Sequence, residues 1–427
     1  MSKKNSDTEK KEPEKMVDSK LSLILRYSAE ISACDNLETI VSLIADETKE
    51  LLEADRCSVY LLDNGDDQLY SWVSHGLKSE IIRFPAGKGL AGFSAKTGET
   101  VNIKDAYSDE RFNPEFDRRT GYRTRTVLCM PLKTLTGDII GVFQVLNKKS
   151  GVFTPQDEDI LSMLSNHAAG AVEKTMLYEE IRESFTSFIN TLAETIDARD
   201  PMTAGHSSRV CSYALLMADK MNYNPTKREI LKYAALLHDL GKIGVREAVL
   251  TKPGRLDPAE REHIQRHVLV TKKILERTHF QPKFREVPLV ASSHHENYDG
   301  SGYPNGYSGE DIPEISRIMA VADVFDAVTY KRHYREPMPF KDVIRIFKDG
   351  SGSKFDSRCV KAFFKIEVYK ILKIMTSGTE KEITENSLDI FKDITLEDFL
   401  SHLDKGSGPV VKEFSKFYPA TDLKNVS

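Results

Sequence analysis

Histidine is unevenly spread along this chain of 427 residues: seven of its eleven fall between His206 and His295. Two of them are adjacent in "SSHHENYDGSGYPNG", residues 292 to 306, where two imidazoles are followed by two carboxylates and three glycines. Another is paired with an acid, His238 with Asp239, at the end of the apolar run "YAALLHDLGKIG". An ionisable pair carried on an apolar helix is costly to bury unless it binds a metal or a partner. A neighbouring His and Asp can serve two metals from one stretch of backbone, with the carboxylate bridging them. Imidazole and carboxylate without thiolate suit iron, manganese or another divalent cation better than a structural zinc site.

Composition agrees with an ordinary water-facing protein. The net charge is −5 and the pI about 6.2, which gives no reason to expect polymeric nucleic acid or a membrane surface as partner. Cys34, Cys57, Cys129, Cys211 and Cys359 are widely separated, with no spacing of the zinc or redox kind, as in a reducing compartment. The longest apolar runs, such as "IIGVFQVL", are strand-sized. Neither a signal peptide nor a membrane span is read, the expected location is cytoplasmic, and residues 1–20 read as a solvated tail.

The elements that must position these residues follow from periodicity. From about Leu21 to Leu52 apolar residues recur every three or four positions (Ile24, Tyr27, Ile31, then Leu37, Ile40, Leu43, Ile44, Leu51), which predicts amphipathic helix. The period then changes. "CSVYLLD", "QLYSWVSHG", "TVNIKDA", "TVLCMPLKT" and "IIGVFQVLNK" predict strands of an antiparallel sheet, and a returning helix from about Pro155 completes an α+β domain over 21–176. Helix continues to about Ala198, with 177–200 as a linker. Its stripe of Ile181, Phe185, Phe188, Leu192 and Ile196 serves either a partner helix or the chain's own downstream domain. Residues 201–365 read as an all-α bundle, and 366–427 as an extension of unknown role.

His206 in "DPMTAGHSSRV", "HDLGKIG", His267 in "QRH", "HHENYDGSGYPNG" and Asp323 in "IMAVADVFDAVT" together resemble the HD-GYP family, the cyclic di-GMP phosphodiesterase branch of the HD superfamily. The resemblance covers about 185–365. It implies His206, His238, Asp239, His267, His294, His295 and Asp323 as ligands of two divalent metals, iron or manganese, with Asp239 shared. It also implies Lys242, one turn beyond Asp239, as a phosphate contact in catalysis, Gly302 and Tyr303 (before Pro304) as substrate contacts, and Arg332 and Arg335 as a phosphate-binding pair. Lys331 and His333 depart from the family's Asp and Pro there. Members with a third metal carry a Glu where this chain has Met202, so two metals, or a weak third, are expected. His263 lies one turn before His267 on the same face, yet the family motif uses only the second, so His263, like His279 and His333, is read as a solvated residue.

The implied reaction is hydrolysis of cyclic di-GMP to the linear dinucleotide, and on to GMP in a further cut, by a water activated between two metals, which also neutralise the charge developing on the phosphoryl group. A silent cyclic-dinucleotide receptor and a hydrolase of cyclic GMP-AMP stand as alternatives. In the first half, "DERFNPEFDRRTGYRTRTVLCMPL" together with Asn147, Lys148, Phe153, Asp157 and Glu158 resembles the cyclic-nucleotide-binding subgroup of GAF domains. That resemblance implies a sensor pocket for cyclic AMP or cyclic GMP, braced by a Lys148–Asp157 pair. The whole is expected to be a GAF sensor joined by a long helix to an HD-type bundle, and a homodimer through that helix.

Overall fold

The computed structural model describes residues 36–63, 65–74, 82–199, 205–330, 336–377, 385–405 and 408–418. The early part of the first predicted helix (Ile24, Tyr27, Ile31), Met202, and the segment with Lys331, Arg332, His333 and Arg335 lie outside them. The chain divides into two compact units between Glu183 and Ser184.

In the first unit, α1 (Leu37–Leu51) starts where the Asn36 side chain accepts from the Thr39 backbone N–H, an ordinary N-cap. Strands β1 (Ala54–Asp63), β2 (Gln68–Ser74) and β3 (Arg83–Pro85) follow, then α2 (Gly89–Thr97), β4 (Val101–Ile103), α3 (Glu115–Thr120), β5 (Val127–Lys133) and β6 (Ile139–Lys148). The strands form one antiparallel sheet in the order β3-β2-β1-β6-β5-β4. The five runs with strand character are strands; β3 and α2 were not anticipated. Side chains alternate across the sheet, as the pleat requires. Cys57, Val59, Leu61, Leu128, Met130, Phe143 and Val145 pack under α1 and the start of the next helix, whereas Tyr60, Val127, Cys129 and Val142 pack against α2.

That next helix, α4 (Pro155–Arg199), has 45 residues and so extends about 68 Å at 1.5 Å per residue. Leu161, Ala168 and Val172 belong to the first core, and Ile189 and Ala193 to the second; of the expected stripe, Phe185 and Leu192 pack against that second core and Ile196 is buried. Leu177, Tyr178, Ile181 and Phe188 remain exposed.

The second unit is helical: α5 (His206–Lys220), α6 (Pro225–Leu237), a 3₁₀ turn (Leu240–Gly244), α7 (Glu247–Leu250), α8 (Pro258–Gln265), α9 (His267–Leu275), α10 (Val287–Ser292), α11 (Glu314–Thr329), α12 (Phe340–Asp349) and α13 (Ser357–Phe364). The segment set apart from residue 366 onward is no appendage. In α14 (Val368–Met375), α15 (Leu396–Asp404) and α16 (Pro409–Phe417), Ile371, Leu372, Phe399, Val411 and Phe414 are buried in one core with Phe340, Phe347 and Phe363. Phe414 stacks on Phe340 and Phe399, and the Tyr418 hydroxyl donates to the Met338 carbonyl. No described helix is long and apolar enough to cross a membrane.

Candidate metal centre

Chain geometry brings all seven candidate ligands to one place, mostly from helix ends. His206 opens α5, His238 and Asp239 follow the last residue of α6, His267 opens α9, His294 and His295 lie just past α10, and Asp323 projects from α11. Helix C-termini leave backbone carbonyls without intrahelical partners. Three of the histidines use them: the Nδ1 atoms of His238, His267 and His294 donate to the carbonyls of Ala235, Ile264 and Ala291, each at 2.7 Å. A carbonyl only accepts, so the proton is on Nδ1 and each Nε2 presents a lone pair, the tautomer that ligation requires. Nε2 of His267 and of His294 are buried with no hydrogen-bond partner. Burial of such an atom is explained by an ion.

Asp239 sits between two sets of imidazoles. Its Oδ1 lies 3.3 Å from His267 Nε2, and its Oδ2 lies 3.4 Å from His238 Nε2 and 3.9 Å from His206 Nε2. Asp323 places Oδ1 3.2 Å from His206 Nε2 and Oδ2 3.9 Å from His295 Nδ1. Three overlapping groups have ligand atoms within 4.8 Å of one another: His206, His238 and Asp323; His238, Asp239 and His294; His267, His294 and His295. Two carboxylates, each facing two imidazole sets, fit a pair of neighbouring divalent cations. Lys242 is on the 3₁₀ turn, not on a continuation of α6, and its Nζ contacts Asp239 Oδ2 at 2.7 Å; at three residues per turn, positions i and i+3 eclipse.

The electrostatics of the site agree with this donor set. Burial alone would raise Asp239 and Asp323, but Lys242 and the surrounding imidazoles hold Asp239 well below the usual carboxylate range, and His206 does the same for Asp323. Burial pushes His267, His294 and His295 down, His295 to about 3, so these rings are neutral at physiological pH. His206 is opposite in sign. Burial disfavours its charge, yet the carboxylates of Asp323 and Asp326 outweigh burial and raise it to about 10. Where two carboxylates draw a proton they also draw a cation, and loading must displace that proton.

Sequence reasoning missed the residues behind the ligands. Asp326, one turn after Asp323, takes His206 Nδ1 at 2.8 Å and a bidentate Arg209 at 2.7 and 3.0 Å; Arg209 also stacks 3.6 Å over the Tyr330 ring. Glu296, buried beside His295, accepts from the Asn305 backbone at 2.7 Å and so ties the glycine-rich loop to the histidine pair. The Asp323–Asp326 spacing of three was the available signal. Gly302 has its reason in space: a Cβ there would lie 2.2 Å from the Asn297 nitrogen and 2.5 Å from the His295 oxygen. Tyr303 consequently reaches the site, its N–H bonded to the His295 carbonyl and its ring 4.9 Å from the imidazole. His263 is not a solvated residue: half-buried, it accepts from the Arg246 N–H at 3.1 Å. It belongs to none of the candidate ligand groups, and His279 is exposed.

In the first unit a cavity of about 260 Å³ opens beside the sheet, with Arg56, Arg83, Arg119 and Lys88 among polar and aromatic neighbours including Phe84 and Tyr122. None of Asn147, Lys148, Phe153, Asp157 and Glu158 lines it. They brace its frame instead. Asn147 accepts from the Arg125 N–H and donates to the Tyr122 hydroxyl, Lys148 pairs with Asp157 at 2.8 Å, and Asn102 ties the Phe153 carbonyl to Glu158.

A family model described as HD domain matches residues 190–359, and one described as GAF domain matches residues 36–172. The two matches give a GAF domain followed by an HD domain, an architecture of the GAF and HD-GYP type. The chain is 39% identical over 177 residues to the 3'3'-cGAMP-specific phosphodiesterase 3 of Vibrio cholerae, covering 42% of this chain and 38% of that protein. It is 35% identical over 204 residues to a probable cyclic di-GMP phosphodiesterase of the same organism, with 45% and 46% covered, and 39% identical over 163 residues to the probable 3',5'-cyclic phosphodiesterase pde-5 of Caenorhabditis elegans, with 35% and 22% covered. The chain spans less than half the length of each of these relatives.

Proposed function

We propose that the chain is a metal-dependent phosphodiesterase that opens cyclic di-GMP to its linear dinucleotide and that its GAF unit binds a small regulatory ligand. The observation that carries the reading is Asp239, a buried carboxylate with one oxygen facing His267 and the other facing His238 and His206, together with the buried Nε2 atoms of His267 and His294 that have no hydrogen-bond partner. His206, His238, Asp239, His267, His294, His295 and Asp323 are the proposed ligands, and iron or manganese the proposed metals. Such cations supply an acidified water and neutralise phosphoryl oxygens. The remaining work falls to side chains of the chain. Lys242 holds a compact positive charge against Asp239, where a phosphate oxygen would approach. Tyr303 presents a ring face to a base, and Gly302 lets the backbone come close. A groove lined by Gln265, Arg266, Leu269, Lys273, Tyr303 and Pro304 leaves room beside the site for the rest of a dinucleotide. Arg332 and Arg335 are proposed for the second phosphate.

The aromatic cavity of the GAF unit, where four cationic side chains outnumber the carboxylates of Glu115 and Asp117, suits an anionic heterocycle, and cyclic AMP or cyclic GMP is the proposed class. The exposed Leu177, Tyr178, Ile181 and Phe188 support pairing of α4 between two copies of the chain.

The test is metal content of anaerobically purified protein, paired with chromatography of cyclic di-GMP reactions. About two metals per chain and linear product are expected, and both should vanish in the His238→Ala, Asp239→Ala double variant while the first unit stays folded. Turnover retained in that variant would place the chemistry elsewhere. Metal without product, alongside tight nucleotide binding, would make the chain a receptor.

A further inference from the structure

The last turn of α4 ends against the candidate site and holds it by two polar clamps. Helix α5, which begins at His206, has Gly205 at its N-cap position and no side-chain cap of its own. Its free N–H groups are served from another helix: the buried carboxylate of Asp197 accepts from the Ser207 N–H at 3.1 Å and from the Ser207 hydroxyl at 2.9 Å. Two residues later Arg199 forks over the 3₁₀ turn, donating from Nη1 to the Lys242 carbonyl and from Nη2 to the Val245 carbonyl, both at 2.8 Å. Just before the clamps Ile196 is buried, and Ile189 and Ala193 join the second core.

We infer that Asp197 and Arg199 are positioning residues, Asp197 for the ligand His206 and Arg199 for Lys242, so that the end of the long helix sets the distance between a metal-binding imidazole and the ammonium group that faces the phosphate. This rests on the phosphodiesterase reading above. Neither residue belongs to the ligand set, and each acts through backbone: a carboxylate capping the helix that starts at His206, and a planar fork joining the middle of a five-residue turn to the residue that follows it. A guanidinium spans two carbonyls in one fixed geometry, which a lysine cannot reproduce. Because the clamps sit on one turn of one helix, a rotation or shift of that turn moves His206 and Lys242 together. Any signal carried along α4 therefore has a defined point of arrival.

The experiment uses the full chain with Arg199→Gln, Arg199→Lys and Asp197→Asn, the last isosteric, each checked for its circular dichroism and melting temperature. Arg199→Gln should leave metal content unchanged and lower kcat for cyclic di-GMP roughly tenfold to a hundredfold, as about 1 Å of misplacement does, with KM changed less than about threefold. Arg199→Lys should not rescue it. In a Lys242→Ala background Arg199→Gln should have no further effect, because a residue acting through another is silent once that other is gone. Asp197→Asn should weaken retention of one metal against a chelator by about tenfold, a readout that needs no turnover. Additive losses of Arg199→Gln and Lys242→Ala, or metal retention indifferent to Asp197→Asn, overturn the inference even in an active enzyme. A wild-type chain that holds no metal refutes the phosphodiesterase reading and the inference with it. A chain that holds metal without turnover still decides the matter through the Asp197 arm.

Discussion

Gly241 offers the sharpest test of the metal centre, because its missing side chain is what lets Asp239 approach His267. A Cβ at this position would lie 1.9 Å from the His267 carbonyl oxygen and 2.5 Å from the Thr271 nitrogen, both backbone atoms that cannot swing aside. Real Cβ contacts hardly ever fall below 3.0 Å, so in Gly241→Ala the 3₁₀ turn and α9 must part by about 1.1 Å. Asp239 Oδ1 and His267 Nε2 are 3.3 Å apart, and a displacement along that line takes them to about 4.4 Å. Oxygen and nitrogen ligands bind first-row divalent cations at about 2.1 Å, so two ligands of one ion span at most about 4.2 Å. The pair would then be too far apart to share a cation. Overpacking of this kind costs about 1–3 kcal/mol, which lowers the melting temperature without abolishing the fold. The assay is metal per chain after anaerobic purification, with circular dichroism and cyclic di-GMP turnover alongside. The expected outcome is a folded protein short of one metal and inactive. Gly244→Ala is the control: its Cβ would find only Val270 side-chain atoms at 3.6 Å and should change nothing. Full metal content and wild-type turnover in Gly241→Ala would refute the reasoning.

Asp326→Asn should reduce affinity for metal about tenfold to a hundredfold, measured by chelator competition, since it weakens the carboxylate behind His206; unchanged affinity would make the Asp326–Arg209 pair a matter of folding alone. Burial raises the Cys129, Cys211 and Cys359 thiols to about 12 and Cys57 further, so alkylation at pH 8 followed by peptide mapping should leave all four unmodified until the protein is denatured. Asp157 is lowered: burial opposes its charge, but the bond from Lys148 and those from Thr154 prevail. A carboxylate lowered in the folded state adds stability above its unfolded pKa, near 4, and loses it as pH falls through the folded value. The melting temperature of the first unit should therefore drop more steeply below pH 4 in the wild type than in Lys148→Met, and parallel profiles would show the pair to be thermodynamically idle.

The candidate ligands were legible because metal chemistry restricts residue type so severely that His238–Asp239 and His294–His295 stand out against apolar surroundings. The five longer strand runs were legible for a different reason, the alternation that one pleated sheet imposes on both its faces. What lay outside that reading depends on distant partners. A carboxylate such as Asp326 on the apolar helix α11 has no visible purpose until Arg209 and His206, 117 and 120 residues earlier, arrive beside it. Asp197 and Arg199, within the segment read as a linker, drew no notice for the same reason. The residues lining the GAF cavity are scattered from Arg56 to Leu146, and no local pattern joins them. The apolar spacing of Phe340, Val343, Ile344 and Phe347 recurs in Leu396, Phe399 and Leu403, but the charged stretch between them disguised a single core, and 366–427 was read only as an extension.

That single core has a bearing on how such a unit is cut, expressed or exchanged between proteins. The HD match ends at residue 359, and a fragment trimmed to it would keep every proposed described ligand while stripping the layer that covers Phe340 and Phe347. Such a piece would present a wide aromatic surface to water and be prone to aggregate. The portable module is the one that buries its own phenylalanines, reaching at least to Tyr418, and recombination that respects the motif but not the packing would deliver an insoluble fragment.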